Sequence, residues 1–174
     1  MKKEPDWNKV MEATWGRALV HESGHALTAV LEGIHCDGIY YDKSAQKFST
    51  LIGPLPPPDQ MNKRHYRFLL ASSAAEDAIY GDHDLSSAKS DRSHFQNPGA
   101  PPLEETLDEV RTTVNGKKRQ IRRIVSKMKS AIRAAGYNMA KLPDVGVDGT
   151  TARYAVLLTK DELEKLCDAN SAPG

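Results

Sequence analysis

The sequence predicts a mainly α-helical domain with one small β-hairpin or sheet. Three observations carry this. Apolar residues recur at helical steps over residues 6–32 and again over 103–135, a helix-length segment lies between two proline-rich breaks, and the clearest β-leaning runs fall within residues 36–53. At 174 residues the chain is long enough for one domain with its own core. It reads as a single unit, residues 1–174, in three parts: a first helix and hairpin over 6–53, a second helix and loop over 59–95, and a C-terminal helical part over 103–170.

In the first part Trp7, Val10, Met11, Leu19, Val20, Leu27, Val30 and Leu31 recur at steps of three, four or seven. Trp15-Gly16 marks a break between a short first helix and a second, and Gly33 supplies a stop. The run "CDGIYYDKSAQKFSTLIG" then reads as two strands around an Asp-Lys-Ser-Ala turn. "PLPPPD" forces an extended linker, because each proline removes a donor and disfavours helix before it. Asp59 is a suitable N-cap for a helix over 60–80, which Gly81 ends.

After a second break, "NPGAPP", one helical phase runs over 103–135 with a weak point at Asn115-Gly116. Residues 142–158 have no clear pattern. Thr159 and Glu162 stand at capping-box spacing and open a last short helix.

Composition excludes several classes. A formal net charge of +1 gives no argument for nucleic acid or an anionic membrane. The basic residues of "GKKRQIRRIVSKMK" alternate with Ile121, Ile124, Val125 and Met128, as on a solvated helix face. The N-terminal residues lack the apolar core of a secretion signal, and no run approaches the ~18 apolar residues of a membrane span. Cys36 and Cys167 are too few and too far apart for a disulfide scaffold, so a soluble cytoplasmic protein is expected.

One stretch carries chemistry: "LVHESGHALTAVLEG", with the H-E-x-x-H spacing at His21, Glu22 and His25. Residues four apart on a helix share a face, so both imidazoles can reach one zinc ion at about 2 Å. Glu22 is turned about 100° away, too far to be an obvious ligand but suitably placed to take a proton from a water that the metal activates. The flanking Ala18, Leu19, Ala26, Leu27, Ala29 and Val30 predict a buried helix. Buried histidines with a glutamate and no metal would need several other partners. Gly24 lowers helix propensity by about 1 kcal/mol against alanine, which points to close packing there.

A catalytic zinc needs a third protein ligand. The extended motif with a third histidine is ruled out, because position 31 is Leu31. Composition leaves Cys36, His65, Glu76, Asp77, Asp82, His83, Asp84, Asp91 and His94 open. Cys36 reads as a structural cysteine and His83 as a solvent-exposed loop residue. Tyr40, Tyr41 and His94 are the available electrophiles for a developing oxyanion. Trp7 and Trp15 read as core or interface anchors.

"VHESGHAL" resembles the H-E-A-G-H-A segment of the FtsH-type ATP-dependent zinc metalloproteases. "ASSAAEDAIYGDHDLSSAKSD" resembles that family's G-G-R-A-A-E-E-x-x-F-G…T-x-G-A-S-N-D segment, matching at Ala74, Ala75, Glu76, Gly81, Ala88, Ser90 and Asp91. The resemblance covers about residues 10–135 and is specific in these two segments. It implies a zincin-like peptidase domain in which His21, His25 and Asp91 hold Zn²⁺, Glu22 is the catalytic base, and Glu76 supports a ligand from behind. It also implies a protein or peptide substrate aligned along the hairpin, and self-association into a homo-oligomer.

The departures from the family matter as well. No G-x-x-x-x-G-K-S/T phosphate-binding loop occurs and no membrane segment precedes the motif. Serines replace glycine and arginine in "SSAAED". The expected activity is therefore endopeptidase cleavage of accessible or unfolded segments, either alone or with a separate ATPase partner. The alternative is a non-catalytic, zinc-stabilised regulatory or binding module of the same fold, in which Glu22 is dispensable.

Overall fold

Asp6 accepts a hydrogen bond from the Lys9 N–H and caps α1 (Trp7–Met11), which a π-helical turn (Glu12–Gly16) joins directly to α2 (Arg17–Leu31). The break expected at Trp15-Gly16 is this turn, where the helix carries an extra residue without being interrupted. Gly33, at φ +68°, ends the run as expected. The structure is a computed structural model, and it describes residues 1–147, 149 and 151–168. The fold is mainly helical, with one four-stranded antiparallel sheet in the order β2-β1-β4-β3. No helix among the described residues is long and apolar enough to cross a membrane.

β1 (Cys36–Asp42) and β2 (Lys47–Ile52) form the expected hairpin, pairing Ile39 with Thr50 and Tyr41 with Phe48. Asp42 stabilises its turn by accepting the N–H groups of Ser44 and Ala45 at 2.9 and 3.0 Å. Two further strands come from the stretch that lacked a pattern: β3 (Asp144–Val145) and β4 (Tyr154–Thr159). β4 lies against β1, where Gly38, at φ +126°, lets the Leu158 carbonyl come within the space of a side chain. This leaves β2 at the sheet edge beside α2.

The helix expected over 60–80 is α3 (Lys63–Tyr80). Its cap is Asn62 in place of Asp59, because His65 completes a capping box by accepting the Asn62 N–H through Nδ1. Asp59 sits instead in a short 3-10 turn, Pro58–Gln60. Gly81, at φ +83°, stops α3 as expected, and Asp84 caps a helix not foreseen, α4 (Leu85–Ser93).

The single long helix expected over 103–135 is two helices, α5 (Leu103–Asn115) and α6 (Lys118–Ala134). They separate at the predicted weak point, around Gly116. α6 buries Ile121, Ile124, Val125, Met128 and Ile132, so its basic residues do line the opposite face. Thr159 and Glu162 form the expected capping box of α7 (Lys160–Cys167).

α2 is the core helix. Leu19, Ala26, Leu27 and Ala29 are fully buried, packed among α3, α6 and the sheet. Gly24 confirms the close packing its sequence position suggested. A Cβ there would overlap the Ala71 backbone carbonyl and come within 2.7 Å of the Ala75 methyl. The small face of α3 (Ala71, Ala74, Ala75) and the glycine of α2 thus bring the two backbones together. That approach places α3 carbonyls and carboxylates beside the histidines.

Candidate metal centre

α2 presents His21 and His25 one turn apart, with ring centroids 5.1 Å apart and planes at 77°. α4 supplies Asp91. One ligand atom from each of the three lies within 4.8 Å of the other two. His25 Nε2 and Asp91 Oδ2 are 3.3 Å apart, the separation of about 3.3 Å that two tetrahedral ligands at roughly 2 Å would have. His25 is 7% exposed, and His21 and Asp91 are half-buried.

Each imidazole is oriented from behind. His25 Nδ1 donates to the Phe68 carbonyl at 3.0 Å, and His21 Nδ1 donates to Glu76 Oε2 at 3.0 Å. Both rings are thereby set with the Nε2 lone pair free, as metal-binding histidines require. Glu76 is 1% exposed and is balanced by Arg17, whose Nη1 lies 3.5 Å from Oε1. Arg17 is held in turn by Asp82 at 2.7 Å.

The donor set fits a divalent cation. With Nδ1 committed to Phe68, His25 Nε2 faces the Asp91 carboxylate, so two acceptors point at each other unless a cation or proton lies between them. Burial opposes the charged ring, but the Asp91 carboxylate, with Glu22 and the Phe68 carbonyl, outweighs it and raises the His25 pKa.

Most of the other residues left open as third ligand are engaged elsewhere. Cys36 is buried at the start of β1 with its thiol pushed up to about 11 by burial. His65 caps α3, Asp84 caps α4 and Asp82 binds Arg17. His83 departs from the expectation of solvent exposure: its side chain is 12% exposed and its Nδ1 lies 2.7 Å from Asp77 Oδ1. The cause is the αL turn at Gly81, which folds the loop back onto α3.

Glu22 lines the same cleft as His21 and is tied to β2. Its Oε2 accepts the Thr50 N–H at 2.8 Å and the Thr50 hydroxyl at 2.6 Å. Because β2 is an edge strand, this N–H is turned outward from the sheet. A cleft of about 480 Å³ opens beside His21 and Glu22, walled by Trp15, Ala18, Phe48 and Ser87. Tyr40, Tyr41 and His94 do not line it. Trp7 packs by stacking on Tyr137, with centroids 5.0 Å apart, while remaining 42% exposed.

Thr50, Phe68 and Arg17 are site residues that sequence reasoning missed. Phe68 acts through its backbone, which leaves no side-chain signal. Thr50 depends on how the hairpin lies across α2. Arg17, one turn before His21, could have been suspected as a partner for a buried glutamate.

Comparison with protein-family models, with curated proteins and with solved structures finds no match to this chain. The reading of the site therefore rests on its geometry.

Proposed function

We propose that this protein is a zinc-dependent endopeptidase acting on accessible or unfolded protein segments. The observation that carries the reading is the convergence of His21, His25 and Asp91 with Glu22 adjacent on the same helix. His21, His25 and Asp91 would hold the ion. When bound, zinc would acidify a water and polarise the scissile carbonyl. Glu22 takes a proton on its carboxylate and returns it to the leaving amine. Glu76 and the Phe68 carbonyl keep both imidazoles in the ligating tautomer. The cleft beside Glu22 offers room for the chain flanking the scissile bond, and the part of the β2 edge beyond the Thr50 N–H, which Glu22 holds, offers main-chain pairing to an extended substrate. A separate ATPase could deliver folded substrates, and self-association is compatible with this arrangement.

A second reading is favoured by one observation. Thr50 binds Glu22 through both its N–H and its hydroxyl, which gives the carboxylate a structural role in tying α2 to β2. In that reading the centre is a zinc-stabilised binding module without turnover.

Hydrolysis of casein without ATP, wild type against Glu22→Gln, separates the two. The protease reading expects cleavage by zinc-loaded wild type and at least a ~100-fold loss in the variant with its metal retained. A zinc-loaded wild type that cuts no unstructured protein supports the module. Equal cutting by both removes Glu22 from the chemistry.

A further inference from the structure

α4 carries the ligand Asp91, yet apolar packing does little to hold it. Of its nine residues only Ala88 is buried. Polar contacts therefore matter for its placement: the N–H of its cap Asp84 meets Glu76 Oε1 at 3.4 Å, Asp91 faces His25, and Arg92, the residue next to Asp91, ties its far end to a longer network. Arg92 Nη2 donates to His83 Nε2 at 2.9 Å. His83 Nδ1 donates to Asp77 Oδ1 at 2.7 Å, and the other Asp77 oxygen accepts Arg111 Nε and Nη2 at 3.2 and 3.0 Å. The chain of bonds crosses α5, α3, the 81–84 loop and α4.

The roles within the chain are fixed by chemistry. A guanidinium only donates, so the His83 Nε2 it meets must be an acceptor and the ring neutral. Its Nδ1 then carries the proton, for which Asp77 is the acceptor. Asp77 is oriented in its turn by the two Arg111 donors, a forked geometry that holds both partners. The bond to His83 is the one found for the Arg92 guanidinium among the described residues, and Arg92 Nε is buried without a partner. Among the described residues His83 is therefore the polar anchor of the Arg92 side chain.

We infer that Asp77, His83 and Arg92 form a latch that positions Asp91 for metal binding. The inference rests on the metal-centre reading above. His21 and His25 are fixed by α2 and by their own partners, so the latch acts on the third ligand only. Losing it leaves both imidazoles in place and lets α4 swing, so the ion keeps two ligands and loses a pre-placed third.

The test is Zn²⁺ affinity by competition with a chromophoric chelator, using full-length wild type, Arg92→Met, His83→Phe and Arg92→Lys. Lysine can still donate to His83. The latch expects Arg92→Met and His83→Phe to bind Zn²⁺ about 10- to 100-fold more weakly. Arg92→Lys should stay within a few-fold of wild type, with metal-free melting temperatures close among all four. If Arg92→Met does not fold, His83→Phe decides. Wild-type affinity in both removal variants overturns the latch while the metal centre stands, and so does an equal loss in Arg92→Lys and Arg92→Met. A wild type that binds no zinc overturns the metal-centre reading and the latch together.

Discussion

His21 Nδ1 lies 3.0 Å from Glu76 Oε2, and the Glu76 side chain is almost wholly buried. A carboxylate in that position does more than balance charge. It accepts the Nδ1 proton and turns the Nε2 lone pair toward His25 and Asp91.

Glu76→Gln keeps an acceptor oxygen near His21 but removes the charge. Zinc affinity should fall by roughly 10-fold or more, the lower end of what such supporting residues contribute. Chelator competition reads this directly. Unchanged affinity would mean that the Glu76 charge serves only Arg17.

Gly24→Ala tests the approach of α2 to α3. Helix propensity alone would favour alanine by about 1 kcal/mol. The added methyl meets the Ala71 carbonyl, which belongs to a helix backbone and cannot step aside. Overpacking of this kind costs about 1–3 kcal/mol, so the sum is a net destabilisation. Urea unfolding should show a lower midpoint, and a higher one would contradict the packing described.

Glu12 gives a pH dependence whose sign can be worked out. Its pKa lies below the ordinary value of 4.5, chiefly through the hydrogen bond from Lys129 and then that from Tyr80. A group whose folded pKa is depressed contributes stability above its unfolded value, and that contribution is lost as pH falls through the folded one. The Glu12 side chain is 45% exposed, so solvent screening limits the effect to about 1 kcal/mol or less. Glu12→Gln should lower stability at pH 7 by that amount and match wild type well below pH 4. Denaturant titrations at the two pH values provide the check.

Part of the fold and much of the site could be read from the sequence. Strong punctuation worked: Gly33 and Gly81 end helices, Thr159 and Glu162 cap α7, and the Asn115-Gly116 weak point is where α5 and α6 part. An irregularity was legible at Trp15-Gly16, although a π-helical turn cannot be told from a break by periodicity. The cap at Asn62 was not legible, because a cap's identity depends on which residue three positions on can reach back, and His65 does. β4 was not legible because its strand character comes from pairing with β1, a partner more than a hundred residues away.

The same division applies to the site. The two histidines share a helix, so their spacing places them. Asp91 reaches them only through the turn at Gly81 and the position of α4, and it was reached through family resemblance, not through spacing. Thr50 and the His83–Arg92 pair depend on how elements dock, which local pattern does not encode.

The most direct test of the account is zinc stoichiometry and affinity for wild type, Asp91→Ala and Glu22→Gln, each freed of metal and titrated with Zn²⁺. The account predicts one tightly bound zinc per chain in wild type and in Glu22→Gln, and binding at least about 100-fold weaker in Asp91→Ala. Equal affinity in Asp91→Ala, or no zinc bound by wild type, would contradict the His21, His25 and Asp91 centre on which everything else rests.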